Sequence, residues 1–150
     1  MEARMKNPAK VLNVNPAIQS MMSSIYLSGI SLELLEYLGL RVSQMNNCEL
    51  CIDQSFVRAG EDPVIGKRIE QVLDWKKSTA FNEAERAALE VTEAITLLKE
   101  RYDSVSDALW STLANHYNEA ERAAIVVFVA AMNMFTRINV ATRQTTADWE

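Results

Sequence analysis

Residues 35–60 read LEYLGLRVSQMNNCELCIDQSFVRAG. Leu35, Leu38, Val42 and Met45 step by three and four, the period of one helix face. After Asn46-Asn47 the helical spacing resumes. At about 100° per residue, Cys48, Cys51 and Ser55 fall within a stripe roughly 60° wide. The stretch predicts two helices. Ser31 caps the first, which runs through about Met45; Asn47 caps the second, which ends at Gly60.

Helix is the expectation outward from there. The chain has 150 residues with only 4 Gly and 3 Pro, none of the prolines after Pro63. Asn15-Pro16 reads as a cap and first helical residue, opening a helix to about Ser28 that Gly29 ends. Further helices are expected at about Pro63 to Lys76, Glu83 to Arg101, Val105 to Asn115 and Glu119 to Thr145. No alternating run reads as a strand. The expectation is one all-α domain over residues 1–150, of about seven helices, with residues 1–14 irregular.

Two helix starts share a sequence. Residues 81–91 read FNEAERAALEV and residues 117–127 read YNEAERAAIVV. Asn82 to Glu85 and Asn118 to Glu121 have the spacing of a reciprocal capping box. The plain reading is two helices that begin by the same local chemistry; a duplicated hairpin is the bolder one, and two copies do not decide it. The second helix stays apolar all round for about four turns, as a helix buried in the monomer or in an oligomer interface does.

Apolar residues make up 49% of the chain and charged residues 23%, an ordinary soluble composition. A net charge of -5 argues against nucleic acid or an anionic membrane surface as partner. MEARMKNPAK lacks the apolar block of a secretory signal. The uncharged stretch Ala123 to Thr136 is shorter than the about 20 residues a membrane span needs. No membrane association is expected, and the location expected is the cytoplasm. In that reducing compartment a close cysteine pair is catalytic or metal-binding rather than structural.

Cys48 and Cys51 are the only cysteines. With Asn47 as the cap, Cys48 stands in the first turn, where unpaired N–H groups and the helix dipole stabilise a thiolate. Glu49 opposes this. A stapling disulfide closes too short a loop to restrict the unfolded chain much. Zinc needs about four ligands, and two thiols with the single His116 would have to draw on carboxylates. A cycling dithiol needs only what is present, with inert buried thiols as the bland alternative. Glu36 lies among Leu32, Leu35 and Leu40, where lost hydration suits a carboxylate to accept a thiol proton; otherwise it is a solvated surface acid like Glu33. His116 reads as a loop histidine, Arg137 as half of a structural ion pair, and Trp75, Trp110 and Trp149 as packing or interface residues.

The run from Glu36 to Gly60 resembles the alkyl hydroperoxidase D-like (AhpD-like) proteins of the carboxymuconolactone decarboxylase family. Their pattern is a Glu, then R-x-S-Q-x-N-x-C-x-x-C-I, usually with His four residues after the second Cys. Glu36, Arg41, Ser43, Gln44, Asn46, Cys48, Cys51 and Ile52 fit it. LDWKKSTAFNEAERAALEVTEAIT and MNMFTRINVATR are similar to segments further along these proteins. The resemblance implies an all-α homo-oligomer, often a trimer or hexamer, and a thiol peroxidase-like activity needing no metal, haem or other cofactor. It implies that one Cys attacks a hydroperoxide and passes through a sulfenic acid, that the second closes a Cys48–Cys51 disulfide, and that an external dithiol reduces it. Carried over, Cys51 is the attacking thiol, Cys48 the partner that meets the reductant, and Glu36 the relay acid. The helix-dipole argument favours Cys48 as the more acidic thiol, so the order of attack stays open.

The departure is Ser55, where the relay His normally stands, and Leu50 stands where relatives sometimes have a second His. A hydroxyl holds a hydrogen bond or a water but takes no proton near neutral pH. Two other readings therefore stand beside the peroxidase: a lyase of the decarboxylase branch, which generally does not depend on a C-x-x-C pair, and a helical oligomer whose site has decayed.

Overall fold

The computed structural model describes residues 2–98 and 104–145, apart from the side chains of Pro63 and Val64. Among the described residues the chain forms eight α-helices and no strand. They are α1 (Pro8–Val11), α2 (Asn15–Tyr26), α3 (Leu32–Met45), α4 (Glu49–Gly60), α5 (Pro63–Ile69), α6 (Glu83–Thr96), α7 (Asp107–Ala114) and α8 (Glu119–Thr142). A 3-10 turn, Glu70–Val72, extends α5. The expected helix end at Arg101 and Trp149 lie outside the described residues.

Local chemistry explains most boundaries. The Ser31 hydroxyl accepts from the Leu34 amide at the start of α3. Both capping boxes form. Asn82 and Glu85 exchange hydrogen bonds of 2.8 and 2.9 Å, and Asn118 and Glu121 bonds of 2.9 and 3.0 Å. The arginine of each NEAER run reaches back to the aromatic residue before the cap, Arg86 to the Phe81 carbonyl and Arg122 to the Tyr117 carbonyl. The repeated sequence is thus a repeated helix-start module.

The structure corrects several expectations. Residues 1–14 are not wholly irregular: the Asn7 side chain accepts from the Ala9 amide, and Pro8 opens the short α1. That raises the expected seven helices to eight. α2 begins at Asn15 itself and ends at Tyr26, before the expected Ser28, with Gly29 turning the chain at φ 91°. α5 stops well short of Lys76, because the chain breaks into turns that bury both Val72 and Trp75. Ser106 rather than Val105 flanks α7, and Arg143, left-handed at φ 53°, ends α8 before Thr145.

α3 lies at the centre, packed against α4, α6 and α8. Leu38, Leu40 and Val42 meet Leu89 and Val91 of α6 and Ile125 and Val129 of α8 in one core, all fully enclosed. By length and composition α8 would pass for a membrane span. One of its faces is instead core, while Val127 and Met134, two turns apart, leave an apolar strip exposed on the other. The reading of this helix as buried in the monomer holds for its core face.

A mostly buried carboxylate ties α6 to the loop after α5. Glu93 accepts from Arg41 at 2.7 Å, the Trp75 indole at 2.9 Å and Lys76 at 2.9 Å. Burial pushes the Glu93 carboxyl up, but the bonds from Lys76 and Trp75 and the Arg41 charge prevail and hold it below the usual carboxylate range. Because the folded value lies below the unfolded one, its stabilisation is complete above the unfolded value and is lost as pH falls through the folded one. Glu93→Gln is expected to cost about 2 kcal/mol at neutral pH and to make stability fall less steeply on acidification. Urea melts between about pH 6 and about pH 3 check this; parallel acid limbs in both proteins would contradict it.

Candidate active site

The α3–α4 turn is built by the segment that precedes the cysteines. Buried Ser43 donates to the Gly39 carbonyl at 2.8 Å. Asn46 donates to the Val42 carbonyl at 2.9 Å and to the side chain of Asn133 on α8 at 3.0 Å, pinning the turn to that helix. Arg41 holds Glu93 and donates to Gln44 at 3.1 Å. These residues are scaffold: they fix where α4 begins.

Asn47 does not cap α4. It takes a left-handed conformation, φ 52°, which asparagine tolerates, and turns the chain so that Cys48 becomes the N-cap residue. The Cys48 carbonyl accepts from the Ile52 amide, and Cys51 stands in the first turn where Cys48 was expected. A disulfide joins the two, with Cα atoms 5.3 Å apart. The sulfurs of this pair are therefore in reach of each other at the open N–H end of a helix, which favours thiolates when the bond is reduced.

The pair separates two cavities. One, about 320 Å³, takes Cys51 into its wall with Leu35, Glu36, Arg58, Phe128, Met132 and Asn139. The other, about 450 Å³, is lined by Cys48, Leu50, Asn139, Val140 and the charged Glu49, Asp53 and Arg143. Both cysteines are nearly enclosed, Cys48 at 3% and Cys51 at 6% exposure.

Glu36 shares a cavity with Cys51, and Ser55 bonds the Cys51 backbone. Glu36 is half-buried on the cavity wall, its carboxylate 3.3 Å from Arg58 Nε. It is not the simple surface acid that Glu33 was taken to exemplify, and Glu33 itself pairs with Arg68 at 2.6 Å. Ser55 is fully buried. Its hydroxyl donates to the Cys51 carbonyl at 3.0 Å and accepts from Arg58 Nη2 at 3.3 Å. Its one proton is thus committed to the backbone.

Three residues of the site escaped the sequence reading. Asn139 donates from Nδ2 to Cys51 Sγ at 3.4 Å and lines both cavities. Its signal was available: Asn133, Thr136 and Asn139 are polar at three-residue steps on an apolar helix, and all three are buried. Arg58 is the second. Tyr26, on the same cavity, is the third; burial and the charge of Glu36 push its phenol up, against Arg58. His116 stands exposed in the α7–α8 turn. Among the described residues Arg137 has no carboxylate partner; it donates to the backbone and side-chain oxygens of Asn133, both at 2.8 Å. Trp75 packs as expected, with its indole on Glu93, whereas Trp110 is exposed beneath Arg122. Among the described residues, no three of His, Cys, Asp and Glu gather as metal ligands.

The chain is similar to known proteins in sequence and in fold. Residues 16–94 match the model of the Carboxymuconolactone decarboxylase family. Uncharacterized protein YdfG of Bacillus subtilis (strain 168) is 32% identical over 114 residues, 76% of either chain. The crystal structure of ATU0492 from Agrobacterium tumefaciens, a protein of unknown function and a candidate antioxidant defence protein AhpD, superposes with a TM-score of 0.83. It is 27% identical, and the match covers 96% of this chain and 98% of that one. The debrominase Bmp8 has the same fold, with a TM-score of 0.74 at 22% identity over 93% of this chain and 75% of its own.

Proposed function

Because the chain belongs to the carboxymuconolactone decarboxylase family, we propose that it is an AhpD-like dithiol oxidoreductase that reduces organic hydroperoxides. The observation that carries this reading is the placement of the pair. Cys48 and Cys51 close across the start of α4, and Cys51 faces a largely apolar cavity with a carboxylate on its wall.

Glu36 takes the thiol proton, and the Cys51 thiolate attacks one peroxide oxygen. The S–O bond forms, the O–O bond breaks, and the departing alkoxide leaves as the alcohol after taking that proton. Cys48 then attacks the sulfenic sulfur, releasing water and closing the disulfide. An external dithiol, approaching through the cavity at Cys48, returns two electrons and two protons. The exposed strip of α8 supports a homo-oligomer, a trimer or hexamer by the family resemblance, with this face against a second copy.

Stopped-flow oxidation of the reduced protein by cumene hydroperoxide tests the reading. The thiols are expected to react at least about 10²-fold faster than free cysteine, the lower end of what a positioned base contributes. Equal rates would end the peroxidase reading. Turnover of a small carboxylated ring by the Cys48→Ser/Cys51→Ser double variant would instead favour the lyase branch.

A further inference from the structure

The geometry points to Arg58 as the positioning residue of this thiol site, a guanidinium that spans Ser55 and Glu36 and supplies from one turn further along α4 the positive charge that an imidazole at position 55 would have brought. The inference rests on the dithiol reading above and concerns how this chain works without that imidazole.

Arg58 touches both relay positions at once. Nη2 donates to Ser55 Oγ at 3.3 Å, and Nε lies 3.3 and 3.4 Å from the two oxygens of Glu36. Ser55 in turn donates to the Cys51 carbonyl at 3.0 Å. Arg58, Glu36 and Cys51 line one cavity, and Ser55, buried behind its wall, links Arg58 to the Cys51 backbone. Serine suits position 55 here because its small buried hydroxyl accepts from the guanidinium, and a ring at this fully enclosed point would take up the volume Arg58 uses.

Guanidinium chemistry gives the arrangement its function. Arg58 keeps its charge at every working pH, whereas an imidazole does not. When Glu36 accepts the Cys51 proton, the acid becomes neutral and the thiolate negative. The fixed cation then has no ionised carboxylate beside it in this cavity, and it stabilises the sulfur anion. The other charged or titratable groups are Tyr26 on this same cavity, and Glu49, Asp53 and Arg143 around Cys48 on the other side. Asn139 adds an uncharged donor to the sulfur.

The test uses the full chain in a Cys48→Ser background, where Cys51 is the only thiol, and follows iodoacetamide alkylation against pH. Arg58→Gln is expected to raise the Cys51 midpoint by about one unit, so that roughly tenfold less thiolate is present at neutral pH. Arg58→Lys keeps the charge and is expected to recover most of that shift; Ser55→Ala, which removes the hydroxyl between Arg58 and the Cys51 backbone but leaves the cation, should give a smaller rise. The Arg58 side chain is about half exposed, and circular dichroism is expected to show all variants folded. A midpoint in Arg58→Gln equal to that of its parent would overturn the inference, as would equal shifts for Gln and Lys. Alkylation needs no peroxide, so the two readings fail separately. Unreactive wild-type thiols with a clear Arg58 shift sink only the peroxidase; a fast wild-type enzyme without the shift sinks only Arg58.

Discussion

Cys51→Ser is expected to abolish hydroperoxide reduction, lowering the rate constant for oxidation on the order of 10²-fold or more, to that of an ordinary thiol. Cys48→Ser is expected to do something different. It should consume one equivalent of cumene hydroperoxide at close to the wild-type rate and then stop, with a sulfenic acid on Cys51 that dimedone traps. The asymmetry follows from what each sulfur faces. Cys51 opens on the cavity that holds Glu36 and apolar walls suited to an organic peroxide, while Cys48 opens on a separate cavity ringed by Glu49, Asp53 and Arg143, without Glu36. One consideration runs the other way. Cys48 is the cap residue itself, closest to the open amides, so helix electrostatics alone would make it at least as acidic as Cys51. Acidity is not sufficient for attack, however: the leaving alkoxide needs a proton, and the candidate donor stands on the Cys51 side. A dimedone adduct on Cys48 in the Cys51→Ser variant, formed at the wild-type rate, would reverse the order.

What the sequence disclosed and what it hid divide by the range of the interaction. Each capping box is set by residues three apart, so Asn82-Glu85 and Asn118-Glu121 could be read directly. The stripe of Cys48, Cys51 and Ser55 is equally local, since helix geometry alone puts them together. Asn47 failed because asparagine serves both as a cap and in a left-handed turn; the choice between them is made by the Asn46–Asn133 bond to α8 and by the packing of α3. Arg58 meets Glu36 across 22 positions of sequence, and Asn139 meets Cys51 across 88. Neither spacing has a period to recognise. The family pattern supplied Glu36 and the missing His, but a pattern of usual residues does not show what replaces one of them. The turns after α5 were hidden for a related reason: burial of Trp75 against Glu93 outweighs local helix preference.

Glu36→Gln is expected to slow oxidation of the reduced protein by 10²- to 10⁴-fold, on the order of what general acid–base catalysis contributes. The direction of this effect is itself diagnostic, because charge and proton transfer predict opposite signs. As a bare negative charge near Cys51, Glu36 disfavours the thiolate, and its removal would raise the thiolate fraction and speed the reaction. As the group that accepts the thiol proton and returns it to the alkoxide, it is needed, and glutamine cannot take its place. Glutamine keeps the side-chain length and an oxygen for Arg58 Nε, so the cavity wall should hold its shape. The two contributions separate in one pair of measurements on the same variant. Iodoacetamide, which needs only a thiolate, should react as fast as with wild type or faster, while cumene hydroperoxide reacts much more slowly. Faster reaction with both reagents would reduce Glu36 to an electrostatic neighbour and leave the leaving-group proton to water. Slower reaction with both would mean that the Glu36–Arg58 pair shapes the thiol itself.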